Sequence, residues 1–217
     1  MSARIAVLAS GRGSNLQAVL DAIAGGRLDA DVVGVFSDKP DAAALQRVPA
    51  PLRWAARPRD FASRSDYELA LGDAIAACAP DWILCAGYMR ILGADIVNRF
   101  AGRMINIHPS LLPRHKGLHT HQQAIDAGDA EHGASIHLVT AELDAGAVIA
   151  QARVPVLPGE DAAQLAERVL AVEHPLLVAS LQLLCSARLA EQDGKPVLDG
   201  HTLFSPLTLD SAGRLHA

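Results

Sequence analysis

Arg4-Ile5-Ala6-Val7-Leu8-Ala9-Ser10-Gly11-Arg12-Gly13-Ser14-Asn15-Leu16-Gln17 has the grammar of a strand, a tight turn and the start of a helix. Residues 4–10 form an unbroken apolar run, as a strand buried on both faces requires, and the run stops at Gly11. Residues 14–24 then carry Ala and Leu at helical spacing. The same alternation continues downstream. A second apolar strand is expected over residues 31–36, a helix over 60–79 and another strand over 81–86. Further strands are expected over 104–108, where Pro109 stops the run, and over 133–140 and 148–156. A long helix over 161 to about 189 follows, with a bend expected at Pro175. Alternating strands and helices of this length predict an α/β fold, a Rossmann-like open, mostly parallel twisted sheet with helices on both faces. One domain over residues 1–217 is expected. Residues 1–100 would form a phosphate-binding half and 101–190 a second half, with 191–217 a hairpin or loose tail.

The turn at residues 11–17 sits where backbone N–H groups and a helix dipole can hold a phosphate. Ser14 and Gln17 have capping-box spacing, so Ser14 is expected to cap the helix. The stretch lacks the Gly-Lys-Ser/Thr ending of a P-loop, and Leu16 stands where a dinucleotide fingerprint has its third glycine. An anion site is favoured over a plain turn. Asp38, about twenty residues on, suits a ribose hydroxyl, but Ser37-Asp38-Lys39-Pro40 is also an ordinary turn, and the turn reading is preferred.

Composition excludes several classes. Half of the 217 residues are apolar, enough for a substantial core. No stretch near eighteen residues is both apolar and uncharged, and the N-terminus lacks the signal-peptide pattern, so a cytoplasmic protein with no membrane partner is expected. Cys78, Cys85 and Cys185 lie in apolar stretches without a CxxC pair and read as reduced core thiols. A net charge of −5 argues against a nucleic-acid partner. Small-molecule substrates are expected, and composition is neutral between monomer and homodimer.

In Met104-Ile105-Asn106-Ile107-His108-Pro109 the two polar side chains alternate with apolar ones, so Asn106 and His108 share one face of a strand at its carboxyl end, where open α/β sheets collect ligands. They could equally be hydrogen-bonded polar groups packed at a strand terminus. Glu142-Leu143-Asp144-Ala145-Gly146 reads as a tight loop whose acid can return toward His108, or simply as a turn.

Taken together, these stretches resemble the folate-dependent phosphoribosylglycinamide formyltransferases of purine synthesis. The resemblance covers the chain to about residue 185. It rests on GRGSNLQA from Gly11, AGYMRILG from Ala86, NIHPSLLP from Asn106, GLHTHQQAI from Gly117, HGASIHLVTAELDAG from His132, and Glu173-His174. It implies 10-formyltetrahydrofolate as co-substrate and no metal. Asn106, His108 and Asp144 are implied in catalysis, and Gly13, Ser14, Asn15 and Glu173 in binding the phosphoribosyl substrate. Arg64, Met89, Arg90, Ile91, Leu92, Asn106 and Thr140 are implied in holding the folate. On that reading the Asn106 amide and a protonated His108 donate to the tetrahedral oxyanion formed as an amine attacks the formyl carbon, and Asp144 holds the imidazolium. Two departures from the family pattern stand out. Arg114-His115-Lys116 occupies positions where an aromatic residue and a proline are more common, and Leu138 replaces a typical aromatic.

Competing readings remain at this point. His115, His119 and His121 approach metal-ligand spacing and raise a metallohydrolase. A formyltetrahydrofolate hydrolase would use water in place of the amine, but leaves the first loop without a purpose. Transfer to initiator methionyl-tRNA would call for a C-terminal RNA-binding domain, and the residues past the long helix carry little basic charge. A non-catalytic nucleotide-binding module would use the loop and leave Asn106, His108 and Asp144 as packing.

Overall fold

The computed structural model describes residues 2–217. They divide into two compact units, one running to Asn106 with Val139–Ala141 added, the other comprising Ile107–Leu138 and Glu142–Ala217.

The first unit holds β1 (Ala3–Leu8), α1 (Ser14–Ala24), β2 (Ala30–Ser37), β3 (Arg53–Ala55), α2 (Arg64–Ala77), β4 (Trp82–Cys85), α3 (Ala94–Arg99) and most of β5 (Met104–His108). Its strands run in the order β5-β4-β1-β2-β3, every neighbouring pair parallel. Ile5, Ala6, Val7 and Leu8 are all fully buried, which explains the continuous apolar run: β1 lies at the centre with both faces covered. Tyr67, Leu71 and Ile75 of α2 and Ile96 and Val97 of α3 pack with Phe36 and Phe100 in one core cluster. The helix expected over 60–79 begins only at Arg64, because the Ser63 side chain accepts the Asp66 N–H and caps it there. At six residues, α3 is too short for its periodicity to register in the sequence.

The second unit holds α4 (Thr120–Asp126), β6 (Glu131–Leu138), β7 (Val148–Pro155), α5 (Ala162–Cys185), β8 (Leu189–Gln192), β9 (Lys195–Leu198), β10 (His201–Thr202), β11 (Leu207–Leu209) and β12 (Leu215–His216). β6 and β7 pair antiparallel, β11 lies parallel along the other side of β7, and β12 pairs antiparallel with β11. β8, β9 and β10 form a separate antiparallel sheet. The Asp161 and Gln164 side chains complete a capping box at the start of α5. That helix is long and apolar enough to cross a membrane, yet it buries Leu165, Val169, Leu176, Leu177 and Leu181, and it packs on β6 and β7 as a core helix does. The helix continues through Pro175 and ends at Cys185, short of the expected 189. Both units together give the expected α/β class: an open, mostly parallel sheet with helices.

Candidate active site

The loop after β1 departs from its expected cap. Gly13, in the left-handed region at φ 71°, takes the N-cap position of α1, with its carbonyl accepting the Gln17 N–H at 2.9 Å, and Ser14 makes no cap bond. Gln17 is engaged elsewhere: its amide donates to Asp21, and its carbonyl oxygen accepts Arg47 Nη1 at 2.7 Å. The capping box is therefore not formed. Gly13 is required twice over, by its φ and because a Cβ there would lie 2.7 Å from Ala44 Cβ. Arg47 Nε also donates to the Arg12 carbonyl at 2.8 Å, so an arginine 35 residues away braces the loop. No local signal in the sequence pointed to Arg47. Asn15 is buried on the first turn of α1. Buried Asp38 accepts the Ser10 hydroxyl at 2.5 Å, and Ser10 Oγ in turn accepts the Met89 N–H at 2.9 Å.

In the same unit the segment from Met89 to Leu92 exposes two large apolar side chains, Met89 and Ile91, and buries Leu92. Arg64 reaches it directly: Nη2 donates to the Ile91 carbonyl at 2.7 Å, while Nε pairs with Glu68 at 2.7 Å. Glu68 Oε1 also accepts the Gly93 N–H at 3.1 Å. Arg90 and Thr140 are both exposed, and Thr140 belongs to the short stretch Val139–Ala141 that joins this unit. Arg64 and the 89–92 segment are thus brought together.

β5 carries Asn106, half-buried, and His108, buried, on alternate positions and hence one side of the strand. His108 Nδ1 lies 3.5 Å from Asp144 Oδ2, an ion-pair distance rather than a tight hydrogen bond, and the two side chains are 7% and 8% exposed. His108 Nε2 lies 3.0 Å from the His115 carbonyl oxygen. The ring thus faces an oxygen at each nitrogen, and only a doubly protonated imidazolium donates to both. Asp144 sits at φ 46°, a conformation Asp tolerates better than most residues. Its Oδ2 accepts the Gly117 N–H at 2.9 Å, and its Oδ1 lies 3.6 Å from His137 Nε2. His137 was missed in the sequence, although β6 alternation places it in a buried strand. Burial holds its imidazole below the ordinary histidine value, against the opposing pull of the Leu138 carbonyl and Asp144. Glu173 is buried on α5.

The histidines that raised a metal site arrange themselves differently. His119 is the left-handed N-cap of α4, His121 Nδ1 lies 3.1 Å from His132 Nε2, and His115 Nε2 meets Asp129 Oδ2 at 2.7 Å. Among the described residues, no three His, Cys, Asp or Glu side chains converge as metal ligands. His132 is fully buried, and burial, then His121, pushes its imidazole down to about 4 from 6.5. His121 is lowered as well, by burial and then by His108. The folded values lie below the unfolded one, so the unfolded chain takes up these protons first. Stability is therefore full above about pH 6.5 and declines as pH falls toward 4. Urea midpoints should drop between pH 7.5 and 4.5, less steeply in His132→Gln; a flat wild-type midpoint over that window would contradict the assignment.

Comparison with known proteins gives a consistent result. Residues 3–181 match the family described as Formyl transferase. A phosphoribosylglycinamide formyltransferase of Escherichia coli is 43% identical over 205 residues, which span 92% of this chain and 95% of that protein. A solved phosphoribosylglycinamide formyltransferase from Coxiella burnetii superposes with a TM-score of 0.88 at 41% identity, over 94% of this chain and 96% of that one. A formyltetrahydrofolate deformylase from Pseudomonas syringae has a TM-score of 0.78 at 26% identity, over 91% of this chain and 66% of that one.

Proposed function

The chain belongs to the formyl transferase family, and from that premise we propose that it moves the formyl group of 10-formyltetrahydrofolate onto the amine of N1-(5-phosphoribosyl)glycinamide, a step of de novo purine synthesis in the cytoplasm. The observation that carries this reading is the pairing of buried His108 with buried Asp144 at the end of β5. The acceptor amine attacks the formyl carbon, and the carbonyl oxygen becomes an oxyanion. The Asn106 amide and the His108 imidazolium are the donors for that charge. A full negative charge competes well against the neutral His115 carbonyl for the Nε2 proton, because charge-assisted hydrogen bonds are the stronger ones. Asp144 balances the imidazolium through Nδ1. When the intermediate collapses, the bond from the formyl carbon to the folate nitrogen breaks, that nitrogen gains a proton, and the new amide nitrogen loses one. None of these steps calls on a metal.

The phosphate of the acceptor fits the amides of Gly13, Ser14 and Asn15 at the head of α1, with Arg47 bracing the loop and Arg12 adding charge. Glu173 is assigned to the same substrate on the family resemblance. Exposed Met89 and Ile91 offer apolar surface to a flat pterin, and Arg64 holds the Ile91 carbonyl beneath it. Arg90, Leu92 and Thr140 complete the proposed folate contacts. Hydrolysis of the formyl-folate by water is the second reading, favoured by the shared fold of the Pseudomonas syringae deformylase. The higher identity and coverage of the transferases favour the amine as acceptor. An assay of tetrahydrofolate release with and without phosphoribosylglycinamide separates the two. Release that depends on the acceptor is expected; equal release without it would make the chain a hydrolase, and no release in either condition would overturn both readings.

A further inference from the structure

We propose that Asp129 is a positioning residue for His108, acting through the backbone carbonyl of His115. Asp129 lies between α4 and β6, with its side chain 3% exposed and its N–H donated to the Ala124 carbonyl at 3.0 Å. Its two carboxylate oxygens hold two consecutive side chains: Oδ1 accepts Arg114 Nη2, and Oδ2 accepts His115 Nε2 at 2.7 Å. The carbonyls of those same two residues reach back to the end of β5. Arg114 O accepts the Ser110 hydroxyl at 2.7 Å, and His115 O accepts His108 Nε2 at 3.0 Å. One buried carboxylate therefore fixes the two carbonyls that orient the imidazole and the residue two positions beyond it.

The backbone needs such a hold. His115 sits at φ 52°, a left-handed conformation uncommon for a side-chain-bearing residue, and it persists where the surroundings hold it. The clamp from Asp129 supplies the enforcement. It also has a chemical consequence, because a carbonyl accepts and cannot donate. The His115 oxygen accepts from a proton on Nε2 while Asp144 accepts from one on Nδ1, so the clamp fixes the ring plane and favours the imidazolium that donates to both. The arrangement uses the histidine at 115, whose Nε2 reaches the carboxylate while its backbone carbonyl meets His108.

The inference rests on His108 being the working imidazole of the proposed reaction, and its test keeps the two apart. Asp129→Ala and His115→Ala are expected to lower kcat for formyl transfer about 10- to 100-fold, the scale on which small misplacements of a reacting group act. KM for either substrate should stay within about threefold, because no ligand contact is lost. Asp129→Asn, which keeps one acceptor oxygen, and His115→Gln, which keeps a donor, should fall in between. The double variant Asp129→Ala/His115→Ala should be no worse than either single one. The readout beyond activity is the pair of His108 ring resonances in 15N-selective NMR, which are expected to report both nitrogens protonated in the parent and a shifted, exchange-broadened Nε2 signal in the variants. Should Asp129→Ala fail to fold, Asp129→Asn and His115→Gln carry the same comparison. Parental kcat together with an unmoved His108 resonance would overturn the proposal. An enzyme inactive in formyl transfer would remove the functional reading while the resonance still decides the positioning role.

Discussion

His108→Ala should lower kcat/KM for formyl transfer by about two to three orders of magnitude, the range seen when a single oxyanion donor is removed from an acyl-transfer site. The variant loses the ring that faces the Asp144 carboxylate at the end of β5. Alanine cannot donate a proton, and water fills such a gap without the fixed orientation that gives a donor its value. Most of the loss should fall on kcat, since the interaction forms only as charge develops on the formyl oxygen. The fold should survive: Asp144 keeps the Gly117 N–H at 2.9 Å, and β5 keeps Ile105 and Ile107 in the core. Steady-state rates measured beside a thermal melt check both halves. Activity within tenfold of the parent would take His108 out of the chemistry.

Gly133→Ala should destabilise the protein by about 3 kcal/mol or more, as overpacking against an immovable neighbour does. Gly133 faces Arg153 in the β6–β7 ladder, and a Cβ placed on it would lie 1.9 Å from the Ala152 carbonyl oxygen. That oxygen belongs to the backbone of a paired strand, so it yields only if the ladder opens. The same Cβ would also stand 3.0 Å from Leu111 Cδ2, just past the end of β5. For a chain of this size the loss corresponds to a fall in Tm of roughly 6–12 °C. A melting curve unchanged to within a degree would mean that the two strands stand further apart than described.

The elements that the sequence disclosed are those with strong periodicity and strong stops. β1 and β5 were legible as apolar runs ended by Gly11 and Pro109, and the alternation of Asn106 with His108 put both on one side of a strand. α3 and α4, with six and seven residues, complete barely two turns and leave no repeating pattern. The N-cap lies at Gly13 rather than Ser14, and the close approach of Ala44, which leaves no room for a side chain there, is a constraint that no local pattern expresses. Arg47, Asp129 and His137 share that limit. Each acts on a residue 7 to 35 positions away through contacts set by the folded chain. The pairing of His108 with Asp144 is implied only by the family resemblance, since a turn-forming Leu143-Asp144-Ala145-Gly146 carries no mark of its distant partner.

Beyond the last residue matched by the family, β11 runs beside β7, with Leu207 opposite Ala150 and Thr208 opposite Gln151. A chain shortened after α5 would retain every side chain assigned to chemistry and still lose something essential. The outer rim of β7 would present bare amides and carbonyls to solvent, a template on which other molecules could add strands. The segment beyond the family match thus covers part of that border with paired backbone.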